Sequence, residues 1–167
     1  MDQAVRPSLQ EGGEFPISVG QSHTMYFGPI SAEEVRRFMG DIPNQNLHHT
    51  AHQGALEWCK WLRADEPKDG GTIVPGIQIM LRCESELVGW LGQGTTIRSI
   101  DYNFDKPLRT GERARLVMTL MSIRVRPRSF IVTLDAQIME GAGNTVLGHG
   151  KGITVVVPRF PLFDQSS

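Results

Sequence analysis

The hydrophobic period of this chain changes once, close to Gly92, and that change limits the folds open to it. Before it, apolar residues follow helical spacing. The stretch GIQIMLRCESELVGWL, preceded by Pro75, carries Ile77, Met80, Leu81, Leu87, Val88 and Leu91 at that spacing and stops before Gly92 and Gly94. Proline at a helix start and glycine just past its end are the usual asymmetry of helix termini. As the most apolar helix in the chain, it is expected to be the buried one. After it come SIDYNF, with alternating Ile100, Tyr102 and Phe104, and then ARLVMTLMSI, FIVTLDAQIM and TVLGHGKGITVVVP. The last three are rich in β-branched and apolar residues and are separated by RPRS and EGAGN. One buried helix followed by long strands predicts an α+β domain, an antiparallel meander wrapped around the helix from about Gly76 to Leu91.

The first half adds shorter elements. ISVGQSHTMYFGPIS reads as extended, with Met25 and Phe27 alternating against polar neighbours. Ser31 and Glu34 form a capping box for the helix AEEVRRFMG, which ends at Gly40. QGALEWCKWLRA is a further helix, with Leu56, Cys59 and Leu62 on one stripe. The 167 residues fit one domain: a loose arm over 1–15, a folded body over 16–160 and a tail over 161–167. A net charge of -1 gives no footprint for nucleic acid or an anionic membrane. No apolar run approaches the ~20 residues of a membrane span, and the polar N-terminus has no secretory core. Cys59 and Cys83 lack metal-ligand spacing and read as buried thiols in a reducing compartment. The cytoplasm is the expected location.

The chemistry concentrates in GDIPNQNLHHTAH at 40–52, which holds Asp41, two asparagines and three of the five histidines. It follows a helix end and is expected to be a loop. Catalytic site, metal site and polar loop are all open on composition. The H-H-x-x-H order on a loop lacks the helical geometry of a zinc site, so no metal is expected. No G-x-S-x-G occurs, and neither cysteine has an evident electropositive setting, which disfavours nucleophilic catalysis.

The order of motifs resembles the MaoC-like hydratases of the hotdog fold, which include the (R)-specific enoyl-CoA hydratases. GPISAEEVRRFMGD is similar to that family's opening segment, NLHH to its aliphatic-His, IVPGIQIM to the start of its central helix, FDKPLRTGE to its strand-turn segment and GKGITVVVP to its last strand. The resemblance runs from about Gly20 to Pro158. It departs at the site. The family separates Asp and His by five positions, whereas His48 and His49 follow Asp41 by seven and eight, and Asn-Pro is reversed as Pro43-Asn44. Leu47-His48 matches aliphatic-His, while Asn46 to His49 preserves the Asn-to-His interval, so both histidines stay candidates, His48 first.

The resemblance implies a hydratase or dehydratase acting on an acyl thioester of coenzyme A or an acyl carrier protein, working as a homodimer without metal or redox cofactor. Asp41 with His48 or His49 would be the acid–base pair. Gly76, with Pro75 and Asn46, would bind substrate and meet the thioester oxygen with helix N-terminal N–H groups, the missing Cβ of Gly76 letting the carbonyl approach. Two rivals remain, a hotdog thioesterase and a non-catalytic acyl-binding module. On electrostatic grounds the basic turn holding Arg124, Arg126 and Arg128 is the candidate for the carrier's phosphates. His149, between Gly148 and Gly150, reads as structural, its glycines hinting at a bulge or a close backbone approach. Glu84 falls on the stripe Ile77, Leu81, Val88, Leu91, where an acid needs a partner.

Overall fold

The computed structural model describes residues 15–40, 47–68, 70–141 and 143–159, and for residues 47, 48, 150 and 151 the backbone only. Residues 1–14 of the N-terminal arm, Asp41, Asn46 and the tail therefore lie outside the described residues. In chain order the elements are β1 (Ser22–Phe27), α1 (Ala32–Gly40), α2 (Leu47–Thr50), α3 (His52–Leu62), α4 (Gly76–Leu91), β2 (Thr96–Phe104), β3 (Ala114–Val125), β4 (Ser129–Glu140) and β5 (Val146–Pro158). The predicted capping box is present: Ser31 N–H donates to Glu34 Oε2 at 2.8 Å, and Glu34 N–H donates to Ser31 Oγ at 3.1 Å. Hydrogen bonds to the carboxyl from the Ser31 N–H and the Ser31 hydroxyl, with the Arg82 guanidinium, hold Glu34 below its usual range.

The strands form one antiparallel sheet in the order β1-β3-β4-β5-β2. The meander is confined to β3, β4 and β5. Strand β2 precedes β3 in sequence but pairs with β5 at the far edge. The segment that crosses from β2 to β3 is tied to the residues before α4. Val74 N–H donates to Leu108 O at 2.8 Å, Thr110 N–H donates to Thr72 O at 2.9 Å, and Ile73 bridges Arg109. Crossing and helix start thus fix each other.

The inward faces of the strands alternate as a half-buried sheet requires. Leu116, Met118, Leu120, Val132, Leu134, Ile138, Ile153 and Val155 are fully buried. Helix α4 meets them with Ile79, Met80, Cys83, Leu87 and Leu91. Burying side chains of this size is worth about 1.5–3 kcal/mol each. The buried face is therefore rotated from the stripe expected above. Ile77 and Leu81 are each 53% exposed, and Glu84 is exposed. The helix is apolar on both sides, so periodicity alone fitted either stripe, and contact with the sheet chose one. Glu84 accordingly carries no burial penalty. Both thiols are buried and free, and desolvation pushes the Cys83 thiol up to about 12.

Candidate active site

Helices α2 and α3 sit over the segment that leads into α4. Ala51 breaks them with an extended backbone (φ -130, ψ 134), and α3 ends at Arg63 in the left-handed region (φ 53). Ala55 and Cys59 bury the underside of α3 against Ile73. Beyond its end, Asp65 Oδ2 lies 3.4 Å from Arg109 Nη1, which ties α3 to the crossing segment. Two imidazoles complete the attachment: His49 Nδ1 is 2.8 Å from Ile73 O, and His52 Nδ1 is 2.7 Å from Gly71 O. A carbonyl only accepts, so each Nδ1 carries the proton. Neutral His49 therefore has its lone pair at Nε2. Burial lowers the pKa of His49 and outweighs the bond to Ile73 O, which raises it. The ring is thus held in its neutral, basic form.

Pro75, buried and extended (φ -61, ψ 133), caps α4. The N–H groups of Gln78 and Ile79 donate to Pro75 O at 3.0 and 3.3 Å. Those of Gly76 and Ile77 precede the first intrahelical acceptor and carry the positive end of the helix dipole. His49 and Gly76 line one cavity of about 380 Å³, with Trp58, Trp61, Phe104 and Leu108 around them. A neutral imidazole and a helix N-terminus facing one space can move a proton and stabilise an anionic oxygen.

The lack of a Cβ at Gly76 serves a different neighbour from the one expected. A methyl there would overlap the Phe104 ring, with Cδ2 and Cζ at 2.6 Å. Phe104 occupies the space reserved above for the substrate carbonyl, so any oxygen must reach the N–H groups past the ring's edge.

The other candidates separate by location. His48 lies on α2, described only in its backbone, and Asp41 and Asn46 lie outside the described residues. Arg124, Arg126 and Arg128 are exposed at the β3–β4 hairpin, closed by Arg126 N–H donating to Ser129 O at 2.8 Å. The cavity lies at the other end of these strands, where Ile138 pairs with Gly148 and Gly148 with Phe104. Nine residues of β4 separate the ends, about 30 Å at ~3.4 Å per residue.

Sequence reasoning missed two groupings. Trp58 and Trp61 line the cavity, and their i,i+3 spacing just after the histidines was an available signal. His149 Nδ1, on β5, lies 2.6 Å from Asp105 Oδ2, just past the end of β2, and both side chains are exposed. Nothing in sequence spacing joins those two residues. The close approach hinted at beside His149 is real at Gly148, where a Cβ would lie 2.5 Å from Asn103 O and 2.7 Å from the Tyr102 ring.

No family model matches this chain, and neither does any curated protein sequence. Solved structures do. The MaoC-like dehydratase from Rhodospirillum rubrum aligns over 90% of this chain and 100% of its own, at 21% identity and a TM-score of 0.66. The fold is the hotdog. The (R)-hydratase of A. caviae involved in PHA biosynthesis shares this hotdog over 85% of this chain and 97% of its own, at 21% identity and a TM-score of 0.63. The fluoroacetyl-CoA thioesterase FlK, a more distant hotdog, aligns over 85% and 87% at 13% identity and a TM-score of 0.51. Against that frame α4 is the hotdog's central helix, and the α2–α3 segment stands over its N-terminus.

Proposed function

We propose that this protein is an enzyme that adds or removes water across the 2,3 bond of an acyl thioester carried by coenzyme A or an acyl carrier protein. The observation that carries the reading is the shared cavity of His49 and the N-terminus of α4. In hydration, a base takes a proton from water as its oxygen bonds to C3. The π electrons move toward C2 and the thioester oxygen, which becomes enolate-like, and an acid then delivers a proton to C2. The N–H groups of Gly76 and Ile77 are the donors for that oxygen. His49, neutral and fixed by Ile73 O, is suited to hold the water and move its proton through Nε2. Asp41 is assigned as its carboxylate partner, with His48 the second imidazole, by the motif resemblance. The similarity of fold to hydratases and dehydratases supports the reaction class.

A homodimer is part of this reading. Ile77 and Leu81 leave an apolar stripe on the outward side of α4 that a second protomer would cover. Among the described residues no helix is long and apolar enough to cross a membrane. The two free, buried thiols accord with a reducing cytoplasm.

A thioesterase is the second reading. The FlK-like fold favours it, since the same helix N-terminus would polarise a carbonyl attacked at C1. Crotonyl-CoA and saturated butyryl-CoA separate the two. Loss of enone absorbance with crotonyl-CoA is the expected result. Thiol release from both instead would establish the thioesterase, and neither change would leave an acyl-binding module. Asp41→Asn is expected to lower turnover at least about tenfold with the fold intact, and unchanged turnover would remove Asp41 from the mechanism.

A further inference from the structure

A second cavity, of about 350 Å³, adjoins the one that holds His49 and Gly76. Leu62, Lys106 and Pro107 line both and form the ridge between them. The walls change character across that ridge. Beside His49 they include Ile73, Val74, Phe104 and Leu108. Beyond it they include Arg63, Asp65, Asp105, Arg109 and Glu140.

Among the described residues the acids of this second cavity are engaged. Asp65 Oδ2 lies 3.4 Å from Arg109 Nη1, and Glu112 pairs with the same guanidinium. Asp105 Oδ2 lies 2.6 Å from His149 Nδ1. Glu140 leans on the β4–β5 hairpin, its Oε2 2.9 Å from where a Cβ of Gly143 would stand. Arg63 and Lys106 are the remaining charges. Both are exposed, and neither forms an ion pair with a described residue.

Arginine stands at position 63 against local preference. It caps α3 with φ 53 and ψ 38, and is the one non-glycine residue with positive φ among the described residues. Glycine or asparagine takes that conformation with less strain. The side chain is exposed, so packing does not select it either. A strained backbone that carries an unexplained charge into a cavity points to function.

An apolar cavity followed by a polar one with two cations at its edge matches one ligand shape. Coenzyme A and acyl carrier proteins share a phosphopantetheine arm. It has a sulfur that bears the acyl group, an uncharged chain with amides and a hydroxyl, and a phosphate at the far end. With the thioester beside His49 and Gly76, an arm that crosses the ridge meets polar walls, and its phosphate needs cations. The arginines of the β3–β4 turn stand about 30 Å from the cavity in the same protomer.

We propose that the second cavity receives the phosphopantetheine arm of the carrier, and that Arg63 and Lys106 bind its phosphate. This names a carrier subsite for the proposed reaction and rests on that reading for the ligand's identity.

The test uses the S-butyl thioethers of pantetheine and of 4′-phosphopantetheine, which can be neither hydrated nor hydrolysed. Both are titrated into the full-length protein by calorimetry. At low salt the parent is expected to bind the phosphorylated compound at least about tenfold more tightly, the worth of one charge-assisted contact. High salt should shrink that preference. Arg63→Gly and Lys106→Gln should each lose most of it, while affinity for the pantetheine compound stays within about twofold of the parent's. Arg63→Gly also relieves the left-handed backbone, so its urea midpoint should equal or exceed the parent's. A purely structural Arg63 would instead lower the midpoint and weaken both ligands alike, which would overturn the proposal. Equal affinity of the parent for the two thioethers would overturn it, as would a preference that survives in both variants. Because neither ligand reacts, these outcomes are separate from whether crotonyl-CoA is hydrated.

Discussion

Replacing Gly76 by alanine should set two local effects against each other, and their sizes follow from the structure. The new methyl overlaps the Phe104 ring, whose Cδ2 and Cζ lie at 2.6 Å from the Cβ position. Cε2 lies nearer still, and ordinary carbon contacts are 3.5–4.0 Å, so the ring must retreat by about 1.5 Å. On one side it meets Tyr102, with ring centroids 4.9 Å apart at 59°. Tyr102 is itself fixed, its hydroxyl accepting the Ile138 N–H at 2.9 Å. On the other side the ring moves into water. Overpacking of this kind costs about 1–3 kcal/mol. Alanine in a helix returns at most about 1 kcal/mol over glycine, so the net loss is about 0.5–2 kcal/mol, or a few degrees in Tm. Phe104→Ala removes the obstacle, and on that background Gly76→Ala should be neutral or stabilising. The coupling between the two sites is then about 1–3 kcal/mol. Urea unfolding of the parent, both single variants and the double variant, at one protein concentration, measures it. If Gly76→Ala costs the same in both backgrounds to within about 0.5 kcal/mol, Phe104 is not what excludes a side chain at position 76.

Tyr102→Phe should cost about 1–3 kcal/mol, because the Ile138 N–H sits at a register shift of β4 on β5 and loses its acceptor; an unchanged urea midpoint would contradict this. Burial and neighbouring carboxylates, only partly offset by the Ile138 bond, push the Tyr102 phenol up to about 12, so its ultraviolet ionisation step should appear above those of exposed tyrosines. His49 has its pKa lowered by burial, so as pH falls below about 6.5 the unfolded chain takes up this proton first. Stability from this group is therefore full above that pH and is lost as pH falls through the folded value. His49→Gln should flatten that part of the stability–pH curve, and an identical slope would place the titration elsewhere. Because the β3–β4 turn and the cavity occupy opposite ends of one protomer's strands, any contact of Arg124, Arg126 and Arg128 with a carrier phosphate must be made across a protomer pair. Their joint replacement by alanine should raise KM for a CoA thioester more at low salt than at high salt, and an equal KM at low salt would return the turn to the surface.

What the sequence by itself determined is local. The capping box at Ser31, the Pro75-Gly76 start of α4 and the three long strands are set by contacts and periods within a few residues, so they could be read in order along the chain. One buried helix before an antiparallel sheet gave an α+β domain, and the resemblance of the motif order to the MaoC-like hydratases implied the hotdog. The buried side of α4 was not legible, since Ile77 and Leu81 satisfy the same period as Met80 and Leu87 until the sheet takes one face. The position of β2 beside β5 was likewise not legible, and with it went the placement of Phe104 on Gly76 and of Asp105 beside His149. The histidines were singled out from composition and resemblance, but only the tertiary structure set the Nδ1 of His49 on Ile73 O and turned its ring to the cavity. Those contacts join residues 24 to 44 positions apart. Spacing carries no information across such separations, because the order of strands in the sheet, and not distance along the chain, decides which side chains meet.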